Sequence, residues 1–123
     1  MLKIEETDFG EITLNGETYD HDIVIFPNEI IERKKWITKE KHGTSHKFTR
    51  DEMEEYLNEV DKSNIDRVVI GTGQYGKLGL LSESKEHLDQ HDIEYSERKT
   101  SDLVGQIEDH FRNRTVFIIH VTC

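Results

Sequence analysis

The stretch Arg67-Val68-Val69-Ile70 runs straight into Gly71-Thr72-Gly73, and Gly76 follows closely. An unbroken apolar run closed by a turn signal predicts a short strand buried on both faces. Glycines at its end let the backbone take positive φ or approach another group closely. Two other runs have the same character. Asp22 to Phe26 (DIVIF) is stopped by Pro27, and Thr115 to Val121 (TVFIIHV) is almost wholly apolar. Strands that do not alternate need cover on both faces, which restricts the chain to layered architectures.

The segments between them supply the rest of the pattern. Glu11 to Leu14 alternates polar and apolar, Asn15-Gly16 is the preferred type I′ turn, and Glu17 to Tyr19 returns, which predicts a β-hairpin. Pro27 to Phe48 has no clear period, and a connection of that length is expected to be functional or to hide a short strand, most readily at Lys35 to Thr38. Thr49-Arg50-Asp51-Glu52 reads as a capping box opening a helix with Met53, Tyr56, Leu57 and Val60 on its buried stripe. Ser82 is placed to cap a helix running to about Gln90, Ile93-Glu94-Tyr95 reads as a strand, and Thr100 is placed to cap a helix burying Leu103, Val104, Ile107 and Phe111. A hairpin followed by strand–helix alternation predicts an α/β fold: a mixed central sheet with an N-terminal β-hairpin and covering helices, one domain over residues 1–123.

Charge narrows the function classes. The net charge of −10 disfavours nucleic acid and anionic membranes as partners. No apolar run approaches the roughly 20 residues of a membrane span, and the first residues lack a secretory or transit pattern. With Cys123 as the single cysteine there is no internal disulfide, and a cytoplasmic location is expected. The charge is unevenly spread. Between Arg33 and Arg50 seven cations face only Glu40, a net +6, so the remainder carries −16. This segment either balances the acidic helix that follows or forms a local anion site.

The glycine segment matches G-x-G-x-x-G after a strand, with Glu94 or Glu97 at a suitable distance for a ribose contact. A dinucleotide site, however, requires a helix to open within that motif, and here Lys77 to Leu81 intervenes. A small anion held by the loop's N–H groups is the more economical expectation, and no cofactor is implied. His42 and His46, and His120 and Cys123, have spacings met in zinc sites. Residues three apart on a strand diverge, so no metal site is expected. His87 and His91 fit a helix C-terminal end. Cys123 is a weak candidate nucleophile with His120 or His46 as its base, and Trp36 reads as a core anchor before a stacking platform. No catalytic triad is legible.

Taken together, Phe9-Gly10 with its hairpin, Gly43-Thr44-Ser45-His46, Val69-Ile70-Gly71-Thr72-Gly73 and Ile119-His120-Val121-Thr122-Cys123 resemble a family of small α/β proteins. That family was first described in a hypothetical protein of a methanogenic archaeon. It includes the adipogenesis-associated domain protein and a mitochondrial complex I assembly factor. GTSH and the terminal HVTC place the resemblance nearest the archaeal-type members. The resemblance implies a compact mixed sheet and no established enzymatic activity, in a family whose crystallised relatives can appear as homodimers. It also implies shared positions at Trp36, His46, Gly71, Gly73, Thr100 and His120 to Cys123. The assembly-factor branch carries Asn and Leu where this chain has Glu108 and His110, so the complex I role is not carried over.

The reading that follows is binding of a small anion, phosphate or carboxylate, or of an acidic partner. Gly71, Thr72, Gly73 and Gly76 would face it together with Lys34, Lys35, Thr44, Ser45 and His46. An interaction or assembly scaffold is the alternative. An enzyme using Cys123 or His46 ranks third.

Overall fold

The computed structural model describes residues 4–27, 29–34, 36–42, 47–59, 65–103 and 114–122. In chain order its strands are β1 (Ile4–Asp8), β2 (Glu11–Leu14), β3 (Glu17–Tyr19), β4 (Ile23–Ile25) and β5 (Ile30–Glu32), followed by β6 (Lys47–Phe48), β7 (Arg67–Thr72), β8 (Gly79–Leu80), β9 (Glu94–Arg98) and β10 (Thr115–His120). The helices are α1 (Trp36–His42), α2 (Arg50–Asn58) and α3 (Ser82–Gln90), with a 3-10 turn at Thr100–Leu103.

The three apolar runs are neighbours in one sheet, ordered β5-β4-β10-β7-β9. β10 pairs in parallel with β7, and β7 with β9, whereas β4 and β5 add antiparallel. This is the expected mixed sheet. Alternate side chains of β10 feed two separate cores. Val116 and Ile118 pack with Val68 and Ile70 against Met53, Tyr56 and Leu57 of α2 and Leu88 of α3. Phe117 and Ile119 point the other way, with Ile23, Ile25 and Val69, and meet Ile4, Ile12 and Leu14 of the three-stranded sheet β1-β2-β3. The N-terminal hairpin thus covers the face opposite α2 and α3. Its turn has Asn15 and Gly16 at φ 47° and 86°, as a type I′ turn requires.

Several local expectations change. Trp36 to Thr38 is helical and not a strand, because α1 begins at Trp36, and Lys35 lies outside the described residues; the short strands in that connection are β5 and β6. Trp36 is no core anchor, being 53% exposed, since α1 turns Thr38 inward instead. The capping box is half formed. Thr49 Oγ1 accepts from the Glu52 N–H, but Thr49's own N–H donates to Thr38 and the Glu52 carboxylate is engaged elsewhere. Ser82 is the first helical residue rather than the cap, which is Leu81 without a side-chain bond. Thr100 opens a 3-10 turn, and its hydroxyl accepts from the Gly73 N–H and donates to the His120 carbonyl at the end of β10 instead of capping. Val60, Val104, Ile107 and Phe111 lie outside the described residues. Among the described residues no helix is long and apolar enough to cross a membrane.

Candidate functional site

The register places Ile119 beside Ile23 and His120 beside Thr72. The carboxyl ends of β7 and β10 therefore meet Asp22, the residue preceding β4, at one edge of the sheet. Open α/β sheets bind ligands at that edge, where the strands end in loops.

Two kinds of feature gather there. The first is a buried polar chain. Asp22 is 4% exposed at the head of a strand with apolar residues on both faces. Its Oδ1 accepts from the Val121 N–H at 2.9 Å, and its Oδ2 lies 2.6 Å from His120 Nδ1 and 3.0 Å from Arg33 Nη1. Burial pushes the Asp22 carboxyl up, but the hydrogen bond and charge of His120, the Val121 amide and Arg33 outweigh it and hold it at about 2. Past the end of β10, Thr122 Oγ1 sits 3.3 Å from His120 Nε2.

Arg33 carries the chain inward. Its guanidinium donates twice to Glu52, at 2.8 and 3.0 Å, and stacks over the Phe48 ring at 5.3 Å. Glu52 also accepts from Thr38 Oγ1 and from the Tyr56 hydroxyl, both at 2.7 Å. Burial, with the Glu52 charge and hydrogen bond added, pushes the Tyr56 phenol up, so it stays a donor. Burial pulls the Arg33 guanidinium down, but Glu52 and Asp22 more than reverse this and keep it charged.

The second feature is the glycine turn. Gly71 is glycine because a Cβ there would stand 3.0 Å from Thr100 Oγ1 and 3.2 Å from Leu103 Cδ1. Gly73 and Gly76 hold φ of 98° and 69°, which disfavours other residues. The N–H groups of Gly73, Gln74 and Gly76 donate to Thr100 Oγ1, Thr122 O and Gly73 O. The Thr72 hydroxyl donates to Arg98 O. These amides are engaged within the fold, and no helix opens until Ser82.

The sequence candidates separate accordingly. Gly71 to Gly76 and His120 come together, joined by the Gln74 N–H to Thr122 O bond at 2.7 Å. Lys34 lies elsewhere, its Nζ bonded to Glu55 at 2.8 Å and Glu59 at 2.7 Å, so this part of the basic segment does balance the acidic helix. Lys35, Thr44, Ser45, His46 and Cys123 fall outside the described residues. Sequence reasoning missed the cations that do adjoin the turn: Lys77 directly after Gly76, Arg98 at the end of β9 and Lys99 just past it. The Lys99 stem lies 3.6 Å from where a Gly76 Cβ would stand. It also missed Asp22, and it took Thr122 only as part of the shared His120 to Cys123 terminus, with no role. A carboxylate heading a strand buried on both faces was the available signal for Asp22. Phe9 and Tyr75, 53% and 64% exposed, flank the turn with ring centroids 6.0 Å apart. Among the described residues no cluster of side chains suited to hold a metal occurs.

Residues 4–106 match a family model described as a protein of unknown function, DUF498/DUF598. No curated protein matches the chain. Among solved structures the chain is similar to conserved hypothetical protein PH1505 from Pyrococcus horikoshii OT3, at 45% identity and a TM-score of 0.85, covering 98% of this chain and 99% of that one. It is also similar to the protein named MT938, at 29% identity and a TM-score of 0.77, with both chains covered in full (100%). An outer membrane protein from Bartonella henselae shares the fold alone, at 17% identity and a TM-score of 0.67 over 99% of this chain and 96% of that one.

Proposed function

We propose, for a chain that belongs to the DUF498/DUF598 family of proteins of unknown function, that the carboxyl edge of the sheet binds a small anion, a phosphate or carboxylate. The observation that carries this reading is the placement of three cations around the glycine turn: Lys77 follows Gly76 in the chain, Arg98 pairs with Gly71 between β9 and β7, and the Lys99 stem lies 3.6 Å from where a Gly76 Cβ would stand. None of the three is in an ion pair among the described residues, whereas Arg33, Lys34 and Arg50 are all paired. The internally bonded amides argue for a site built from side chains around a rigid turn, not from a backbone cradle. The exposed rings of Phe9 and Tyr75 offer an apolar wall beside it.

The test is thermal melting with inorganic phosphate and with dicarboxylates at low salt. A ligand at 100 times its Kd adds about 2.7 kcal/mol, a rise of several degrees for a domain of this size. The rise should shrink with added salt, vanish in Lys77→Glu/Lys99→Glu and persist in Lys34→Ala. A flat response, or an equal rise in the double variant, removes the reading.

A further inference from the structure

We propose that Thr122 is a nucleophilic hydroxyl activated by His120, with Asp22 as the positioning residue, and that the site turns over small anionic carboxylic esters. The three side chains stand in relay. Asp22 Oδ2 is 2.6 Å from His120 Nδ1, and His120 Nε2 is 3.3 Å from Thr122 Oγ1. A carboxylate only accepts, so Nδ1 carries a proton, and in the neutral form of the imidazole Nε2 is the nitrogen that faces the threonine hydroxyl with its lone pair. Asp22 itself is fixed by the Val121 amide and by Arg33, so the imidazole's orientation is set from behind. Nucleophile, base and orienting carboxylate in this order recur on unrelated folds. The exposure fits the roles: Asp22 and His120 are buried, while Thr122 is partly open. A contact of 3.3 Å is the looser kind that tightens once substrate binds.

In the first step Thr122 Oγ1 bonds to the ester carbonyl carbon while its proton passes to His120 Nε2. The carbon–oxygen bond to the alcohol then breaks, and the departing oxygen takes that proton, leaving a threonyl ester. Water adds to this ester's carbonyl and gives a proton to Nε2. The bond to Oγ1 breaks, the proton returns to Oγ1, and a carboxylic acid leaves. Water is the only co-reactant. The preference for an anionic ester rests on the anion-binding reading above, because the Gln74 N–H to Thr122 O bond sets the cationic turn beside the hydroxyl. The nucleophile does not depend on it.

The experiment uses the full chain with Cys123→Ser, which removes the neighbouring thiol, and a neutral fluorophosphonate probe read by intact mass and peptide mapping. One label on Thr122 is expected. Thr122→Val should label at least about 100-fold more slowly with an unchanged melting temperature, and Thr122→Ser should restore labelling. Asp22→Asn should slow labelling and shift its pH profile, a change that loss of packing alone would not produce. No label, or equal labelling of Thr122→Val, overturns the nucleophile. Hydrolysis of p-nitrophenyl hemisuccinate should exceed that of the acetate ester, and Lys77→Glu/Lys99→Glu should abolish the difference. Labelling of Thr122 without that difference overturns the anionic substrate class and leaves the nucleophile standing.

Discussion

Arg33 is the residue on which the buried polar chain turns. Its side chain is fully buried and bridges Asp22 and Glu52, two buried carboxylates. Removing one partner from a buried charge network leaves the others uncompensated, which costs far more than the network's net contribution. Arg33→Met should therefore destabilise the protein by about 3–5 kcal/mol in urea denaturation. Lys34→Met, one residue on, breaks only surface pairs with Glu55 and Glu59 and should cost less than about 1 kcal/mol. Equal losses would mean that Arg33 is not the keystone. In sequence the two residues are indistinguishable members of one basic run. Burial separates them.

At the scale of elements, the close approach of β7 to the 3-10 turn explains the first glycine of the motif. Gly71→Ala would press a methyl to 3.0 Å from Thr100 Oγ1, 3.2 Å from Leu103 Cδ1 and 3.3 Å from Ile119 Cγ2. The Thr100 hydroxyl already accepts from Gly73 N and donates to His120 O, so it cannot give way without loosening the site. A cost of about 1–3 kcal/mol in melting or denaturant experiments is expected, and a neutral substitution would contradict this packing. Strands β4, β7 and β10 and the Asn15-Gly16 turn were legible because each rests on a local signal, an apolar run or a backbone preference. Helix α1 was not, because WITKEKH buries Thr38 and exposes Trp36, which leaves no apolar stripe to detect.

For the whole molecule, the salient consequence is how it responds to acid. Asp22 is held at about 2, below the ordinary 3.8. A depressed carboxyl contributes stability that is complete above the unfolded value and is lost as pH falls through the folded one. The loss should amount to roughly 2 kcal/mol between about pH 4 and pH 2. Urea denaturation across that range should show a drop that is correspondingly smaller in Asp22→Asn; an identical drop would mean that Asp22 does not carry it. Local signals in the chain were enough for the α/β class, the three central strands, the hairpin and the glycine turn, since apolar periodicity and turn chemistry act over a few neighbouring residues. The folded arrangement brought Asp22 against His120 across 98 positions and Arg33 against Glu52 across 19. It also set Lys99, just past β9, and not Lys34, at the turn. Those pairings depend on strand order and register, which no local preference encodes, and a charged residue's role follows from what the fold brings against it.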